Sequence, residues 1–419
     1  MKSSTSPGRF LGWRMVVLAF LCTNLVLGLT FGIYGPFVAG IAGEFAASRS
    51  LFSGGLALVV TLMGLLAPAI GRAVGRWSIR RVMSIGLMAL ALMFVLASMA
   101  ASAWQFVAIF GLLGGVAAAC LVIVPPTTLI NNWFVEQRGK ATGLVMMPFL
   151  VMAMPPLAAA AITGFGWRPT SVGLAVVVLL LLPLTRLIVD RPGDIGQSAL
   201  GADSAVPIPA AAQGSDSIDT AYPMREPTFW ATTYCGGIVA GTGVTISTHL
   251  VPFATGAGYS LQSAAYLLTV MGGAGMAGGV FFGLLADRIG GARTLGLMCL
   301  ALALLWPALL SGGGYFALAL VTAGFGLSMS AVIPVVATLF GNLFRTGSFA
   351  RVMGLYSLSA MPFGLLMPIA AGWLFDLTGS YHAVFLGFAL LFAAAAALLF
   401  FYVHRVETVP RPAPLVAQA

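Results

Sequence analysis

The chain has 419 residues, of which 60% are hydrophobic and only 7% charged, with a mean hydropathy of +1.02 and a formal net charge of +9. A soluble domain carries about 25% charged residues, so this composition excludes a soluble fold, a disordered chain, a collagen and a disulfide-rich secreted module. Long apolar runs without alternation exclude a β-barrel, which leaves an all-α membrane protein with many spans.

Twelve apolar segments follow one another, each near the ~20 residues that cross about 30 Å of hydrocarbon as a helix. Numbered as spans 1 to 12, they cover 15–37, 51–70, 82–101, 104–129, 140–163 and 168–188, then 229–253, 261–285, 293–311, 315–340, 351–374 and 381–403. Span 1 is too long for a signal-peptide core and no small-residue cleavage site follows it, so it reads as an uncleaved helix. Between spans 6 and 7, residues 190–226 are rich in Ala, Ser, Pro, Gly and Asp and lack apolar periodicity. They read as a flexible linker. The predicted organisation is a six-helix bundle over 1–189, the linker 190–226, a second bundle over 227–403 and a tail over 404–419. Cys22, Cys120, Cys235 and Cys299 all fall inside apolar runs without a CxxC spacing, and read as small apolar residues, not as disulfides or metal ligands.

Every charged residue falls in a connection or at a helix end. With both termini on one face, that face receives Lys2, Arg9, Arg14, Arg72, Arg76, Arg80, Arg81, Arg138, Lys140, Arg186, Arg191, Arg225, Arg288, Arg293, Arg345, Arg351, Arg405 and Arg411; the other receives Arg49 and Arg168. Because basic loops stay in the cytoplasm, this asymmetry predicts a multi-pass inner-membrane protein with cytoplasmic N- and C-termini. The positive charge is then a topology signal facing anionic lipid, so no nucleic-acid partner is expected.

The two halves repeat each other. Gly71–Arg81 (GRAVGRWSIRR) matches Gly283–Arg293 (GLLADRIGGAR) after the second span of each half. Asn132, Phe134 and Gly143 match Asn342, Phe344 and Gly354 after the fourth. Pro36-Phe37 ends span 1 as Pro252-Phe253 ends span 7, and Trp167-Arg168 opens span 6 as Tyr381-His382 opens span 12. Parallel six-helix repeats joined by a linker are a transporter architecture.

On these residues the chain resembles the major facilitator superfamily, whose 2–3 loop signature is G-x-x-x-D-R-x-G-x-[RK]-[RK]. The 8–9 copy is nearly complete, with Gly283, Asp287, Arg288, Gly290 and Arg293. The 2–3 copy keeps Gly71, Arg76, Arg80 and Arg81 but has Gly75 in place of the Asp. GWRMVVLAF at Gly12–Phe20, FAASRSLFS at Phe45–Ser53, NNWFVEQRGKATGL at Asn131–Leu144, GWRPT at Gly166–Thr170, RPGDIG at Arg191–Gly196 and HLVPFATGAGYS at His249–Ser260 together resemble its bacterial monocarboxylate-transporter and oxalate–formate-antiporter branch.

The resemblance implies that Asp287 latches the start of span 5, where free N–H groups and the helix dipole favour a negative charge. Gly75 cannot supply the matching latch against span 11, so the gate is expected to be asymmetric and to lean towards inward-open. The resemblance also implies a substrate site near the bilayer midplane, lined by spans 1, 4, 7 and 10. The candidates are Asn24 and Tyr34 in span 1, Thr127 and Thr128 behind Pro125-Pro126 in span 4, Tyr234, Thr245 and His249 in span 7, Ser330 in span 10 and Tyr356 in span 11. A hydroxyl returned to its own helix is the plainer reading for most Ser and Thr.

His249 is the only group titrating near neutrality inside a span. It either serves a carboxylate or proton or is a neutral histidine bonded near the outer surface. The charges that members of this branch place in spans 1, 8 and 11 are missing; Gly275 and Gly279 stand at the span 8 positions. Those glycines either open room for a bulkier substrate or pack helices closely. The expectation is a secondary transporter of a small organic solute, a monocarboxylate or related acid, functioning as a monomer, with proton symport, uniport and exchange all open. A carrier of a larger aromatic or neutral compound, or a non-transporting sensor on the same fold, is the alternative. No enzyme motif, cofactor or metal site is expected.

Overall fold

The computed structural model describes residues 10–45, 49–201, 222–259, 261–344 and 348–403. The middle of the predicted linker (202–221), the tail 404–419 and the basic residues Lys2, Arg9, Arg345, Arg405 and Arg411 lie outside the described residues, as do the side chains of Arg49 and Thr248. Among the described residues, helices carry the fold, and the β-type pairing is one isolated bridge between Phe134 and Leu200. Eleven helical units are long and apolar enough to cross a membrane. The 30-residue helix Pro227–Gly256 is span 7 and completes the twelve.

Four spans that read as continuous in the sequence are broken or wound differently part-way. Span 1 runs Gly12–Leu27, passes through a π-turn at Gly28–Gly32 and resumes at Tyr34–Phe45. Span 4 is divided into Ala103–Leu121 and Val124–Trp133, span 5 into Arg138–Val145 and Phe149–Phe165, and span 10 into Gly314–Met329 and Val332–Leu343. Proline explains the last three, since Pro125, Pro148 and Pro334 lack the N–H that would continue the ladder and crowd the preceding turn. The carbonyl that Pro125 leaves without a partner, that of Leu121, accepts a 2.9 Å hydrogen bond from the Thr23 hydroxyl of span 1. Such breaks are tolerated in a membrane where other groups satisfy the freed backbone.

Each half closes on an aromatic cluster at one end. Phe37 and Trp167 both pack on Phe106, at 6.4 and 6.1 Å, and in the second half Phe253 meets Tyr381 at 5.6 Å. The repeat landmarks read from the sequence therefore come together in space. Glu44 adds a polar clasp at this end of the first half. Its carboxylate accepts from the Trp167 indole (2.7 Å) and the Arg168 guanidinium (2.6 Å), which hold it below the usual carboxylate range.

The halves pack on each other towards the opposite end, the face bearing the 2–3, 4–5, 8–9 and 10–11 connections, called the basic face below. Helices in lipid gain no hydrophobic energy by associating, so close backbone approach through small residues takes its place. A Cβ on Gly139 would land on the Gly283 carbonyl oxygen, and one on Gly143 on that of Gly279, so spans 5 and 8 meet through two glycine pairs spaced four apart. Spans 2 and 11 repeat this: a Cβ on Gly71 would stand 2.6 Å from the Ala350 oxygen, and one on Gly354 2.6 Å from the Ala67 oxygen. The repeat relates the two contacts as a pseudo-two-fold pair. Among the described residues, the main packing of the second segment of span 5 and of span 7 is against elements of their own halves. In this arrangement the halves meet at the basic face through close backbone packing, without a second carboxylate.

The linker also differs from expectation. Residues 190–201 are docked, not free. Leu200 exchanges backbone hydrogen bonds with Trp133, Val135 and Glu136 (2.9–3.0 Å), the Gln197 side chain accepts from the Leu11 N–H (3.1 Å), and Trp133 and Asn132 donate to the Val189 and Asp190 carbonyls. The Asp190 carboxylate accepts from the Ile79 and Arg80 N–H groups at the start of span 3, at 2.7 and 3.2 Å. Polar composition concealed a segment whose backbone and side-chain groups find fixed partners.

Candidate functional site

The breaks in spans 4, 5 and 10 lie about 12–18 Å along the helix from the basic end, at 1.5 Å per residue, which is close to the middle of a 30 Å hydrocarbon layer. The π-turn of span 1 joins them, because Gly28 and Gly32 pack against Leu150 and Val151, just past the span 5 break. Asn24 fixes that junction: its side-chain oxygen accepts from the Leu150 N–H at 3.1 Å, replacing a backbone partner that Pro148 interrupts. Its Nδ2 is buried without a hydrogen-bond partner. Discontinuous helices near the midplane are where transporters of this architecture bind solute.

The other sequence candidates divide by what their polar atoms do. Thr127 and Thr128 return their hydroxyls to Ile123 and Val124 (2.6 Å each), and Thr245 returns its own to Gly241 (2.9 Å). Ser330 donates at 2.7–2.8 Å to Gly275 of span 8 and to Gly326 of its own helix, so it ties spans 8 and 10 together. Tyr34 is buried against Phe110 of span 4, with its hydroxyl packed against Gly55 of span 2. Tyr356 is buried between Gly236 and Phe340, and its hydroxyl has no hydrogen-bond partner among the described residues. Tyr234 is half-buried beside Phe363 of span 11, and no hydrogen bond to its hydroxyl occurs among the described residues.

His249 lies about 33 Å along span 7 from the basic end. Its Nε2 is 3.1 Å from the Pro368 carbonyl and its Nδ1 is 3.3 Å from the Tyr381 hydroxyl. A carbonyl only accepts, so Nε2 donates to Pro368, while Nδ1 shares a hydrogen bond with the Tyr381 hydroxyl. The ring ties span 7 to spans 11 and 12. Gly275 packs against Gly326 and Ser330, and Gly279 faces Gly143, which is the close-packing alternative for the span 8 glycines.

At the basic face, the two Asp287 carboxylate oxygens accept from the Gly139 and Lys140 N–H groups at 2.6 and 2.8 Å. These are two of the free donors of the span 5 N-terminus. Gly283 is in the glycine pair below. The pseudo-two-fold counterpart of Asp287 is Gly75, beyond which a Cβ meets nothing within 4 Å. Arg80 and Arg81 start span 3, and the carboxylate of Asp190 serves the backbone there. Sequence reasoning missed Arg138. It is buried, its Nε donates to the Phe134 carbonyl (3.1 Å), and its Nη1 lies 3.5 Å from Asn342 of span 10, bridging the halves beside Asp287. Its signal in the sequence was its place immediately before the Gly139–Gly143 pair. Among the described residues no group of His, Cys, Asp and Glu is arranged to hold a metal.

Comparisons with known proteins agree with this architecture. The family model described as Major Facilitator Superfamily matches residues 20–331 and 277–418. The chain is 26% identical over 375 residues to the uncharacterized MFS-type transporter YcxA of Bacillus subtilis (strain 168), covering 82% of this chain and 84% of that one. It is 28% identical to monocarboxylate transporter 13 of Bos taurus, covering 97% and 94% of the two chains. Among solved structures, the proton:xylose symporter XylE matches with a TM-score of 0.70 at 14% identity, over 94% of this chain and 96% of that one. FucP in its outward conformation matches with a TM-score of 0.70 at 16% identity, over 94% and 99%. The chain belongs to the major facilitator superfamily.

Proposed function

We propose that the chain is a monomeric secondary transporter that carries a small organic acid, of the monocarboxylate class, by alternating access. Its basic face is cytoplasmic, and the arrangement described above is the outward-facing one. The observation that carries this reading is the packing of the halves: glycine pairs join them along the basic end, while the main packing of span 7 and of the outer segment of span 5 is within their own bundles. Two bundles hinged at one end around broken midplane helices are the working parts of a rocking carrier. The monocarboxylate class is supported by relatives named as monocarboxylate transporters at 24–28% identity across nearly the whole chain.

The binding chemistry of this reading is neutral. Every charged side chain stands in a connection or at the end of a span, and both nitrogens of His249 are engaged. A bare carboxylate in a low-dielectric site requires a compensating cation or several donors. The protonated acid requires only neutral partners, and the Asn24 amide and the Tyr234 hydroxyl are the candidates for that part in this reading. Thermal unfolding of the purified protein tests this, against short monocarboxylates, dicarboxylates, aromatic acids and neutral analogues at two pH values. A ligand at about 100 times its dissociation constant stabilises by ~2.7 kcal/mol. Stabilisation by a monocarboxylate that strengthens as pH falls, and weakens in Tyr234→Phe, supports the reading. Stabilisation confined to bulky neutral compounds refutes the substrate class.

A further inference from the structure

The outer wall of the first bundle carries a groove of about 660 Å³ where the start of span 3 meets the end of span 6. Three arginines, Arg80, Arg81 and Arg186, line its rim, and all three are exposed. Its floor is built: the Ser84 and Thr185 hydroxyls lie 2.8 Å apart and join the two spans, while each also returns to a backbone carbonyl, Arg80 for Ser84 and Leu182 for Thr185. Towards the membrane interior the groove continues over the exposed side chains of Ile85 and Met88. Trp77, half-exposed in the preceding loop, marks this level as the membrane–water interface, where tryptophan concentrates.

None of the three guanidinium groups forms a salt bridge among the described residues, although the Asp190 carboxylate feels the charge of Arg80. The nearby carboxylate of Asp190 is turned to the Ile79 and Arg80 backbone N–H groups. The site therefore offers three positive charges above an apolar trough. We propose that it binds the phosphate headgroup of an anionic phospholipid, with an acyl chain lying over Ile85 and Met88. Basic pockets between spans at a membrane surface select such lipids by charge, and the trough matches a chain-bearing phosphate better than a free one.

The internal repeat supplies a natural control. The counterparts of Ser84 and Arg186 in the second half are Gly296 and Phe400, and the Phe400 ring lies where a Gly296 Cβ would be only 3.0–3.1 Å from it. An aromatic plug occupies the equivalent place, and the counterpart of Arg80 is Ala292. Of the three arginines only Arg81 keeps a charged counterpart, Arg293, so the open groove with its triple charge is a feature of the first half alone.

Native mass spectrometry of the full chain in detergent with equal phosphatidylglycerol and phosphatidylcholine of matched chains tests the proposal. Thermal unfolding in the same lipids provides a second readout. The wild-type protein should retain phosphatidylglycerol preferentially and be stabilised by it. Arg80→Ala and Arg186→Ala should each weaken retention about fivefold. The double variant Ser84→Gly/Arg186→Phe, which rebuilds the mirror arrangement, should lose the preference while unfolding normally in phosphatidylcholine. It decides the matter should the alanine variants not fold. Arg72→Ala, on the same face but outside the groove, should retain the lipid. Equal loss in Arg72→Ala would reduce the effect to diffuse charge attraction and overturn the site. An undiminished preference in the double variant would overturn it too, as would inorganic phosphate reproducing the thermal shift of phosphatidylglycerol.

Discussion

Gly75→Asp restores the carboxylate that the first half lacks, and its consequence can be worked from the second. Asp287 holds two N–H groups of the span 5 start at 2.6 and 2.8 Å. The pseudo-two-fold carries position 287 onto 75, Gly139 onto Ala350 and Lys140 onto Arg351, and the Gly71–Ala350 contact establishes that the backbones already meet in the same way. Open space at the Gly75 Cβ means that the new side chain enters without displacing a neighbour. A carboxylate at an exposed helix start contributes ~0.3–1 kcal/mol, rising to ~2 where partly buried. Gly75 is exposed, so about 0.5–1 kcal/mol is expected, which moves the ratio of closed to open basic faces about two- to fivefold. Asp287→Ala should shift it the other way by more, because it leaves two amide donors unsatisfied. Spin labels placed across the basic face report the distance distribution directly, and Gly75→Asn separates charge from hydrogen bonding. An unchanged distribution in Gly75→Asp, with a shifted one in Asp287→Ala, would refute the symmetry argument.

Gly139→Ala places a methyl group on the Gly283 carbonyl and should cost ~1–3 kcal/mol of the closed arrangement; the same spin-label distances should lengthen while each bundle stays folded. His249→Ala removes two interhelical hydrogen bonds worth ~1 kcal/mol each and should lower the unfolding temperature without changing ligand affinity; a lost ligand response with an unchanged unfolding temperature would restore a direct binding role. Glu44 is held below the usual carboxylate range by Trp167 and Arg168. Its contribution is therefore present above the unfolded-state value and lost as pH falls through the folded one. Glu44→Gln should flatten the acid limb of a stability–pH curve, whereas an identical limb would place the acid sensitivity elsewhere.

The fold was legible because lipid leaves the chain few choices. Every backbone group must bond within the span, so hydropathy alone marked twelve helices. The positions of glycine and charge then exposed the repeat, and Gly283, Asp287 and Gly139 meet where that repeat brings them together. The breaks in spans 4, 5 and 10 were also written in the sequence, as Pro125, Pro148 and Pro334. A proline forbids one hydrogen bond but does not say whether the helix bends, stops or shifts register. The outcome depends on what neighbour can serve the freed groups, and here those neighbours are Thr23 and Asn24, 98 and 126 residues away from their partners in spans 4 and 5.

The candidate site was less legible for the same reason. A hydroxyl in an apolar span has two ways to satisfy itself, and composition does not distinguish a Thr127 that bonds its own helix from a Tyr234 whose hydroxyl has no hydrogen bond among the described residues. His249 illustrates the point most sharply. An intramembrane histidine is by default a functional hypothesis, yet Pro368 and Tyr381, from two other spans, occupy both its nitrogens. The expected asymmetry of the gate weighed the missing carboxylate alone. A helix-start charge is worth at most a few kcal/mol, whereas the glycine contacts of spans 5 with 8 and 2 with 11 extend over two successive turns each and bring backbone against backbone. In the arrangement described, close backbone packing joins the halves at the basic face, and the one carboxylate present adds to it.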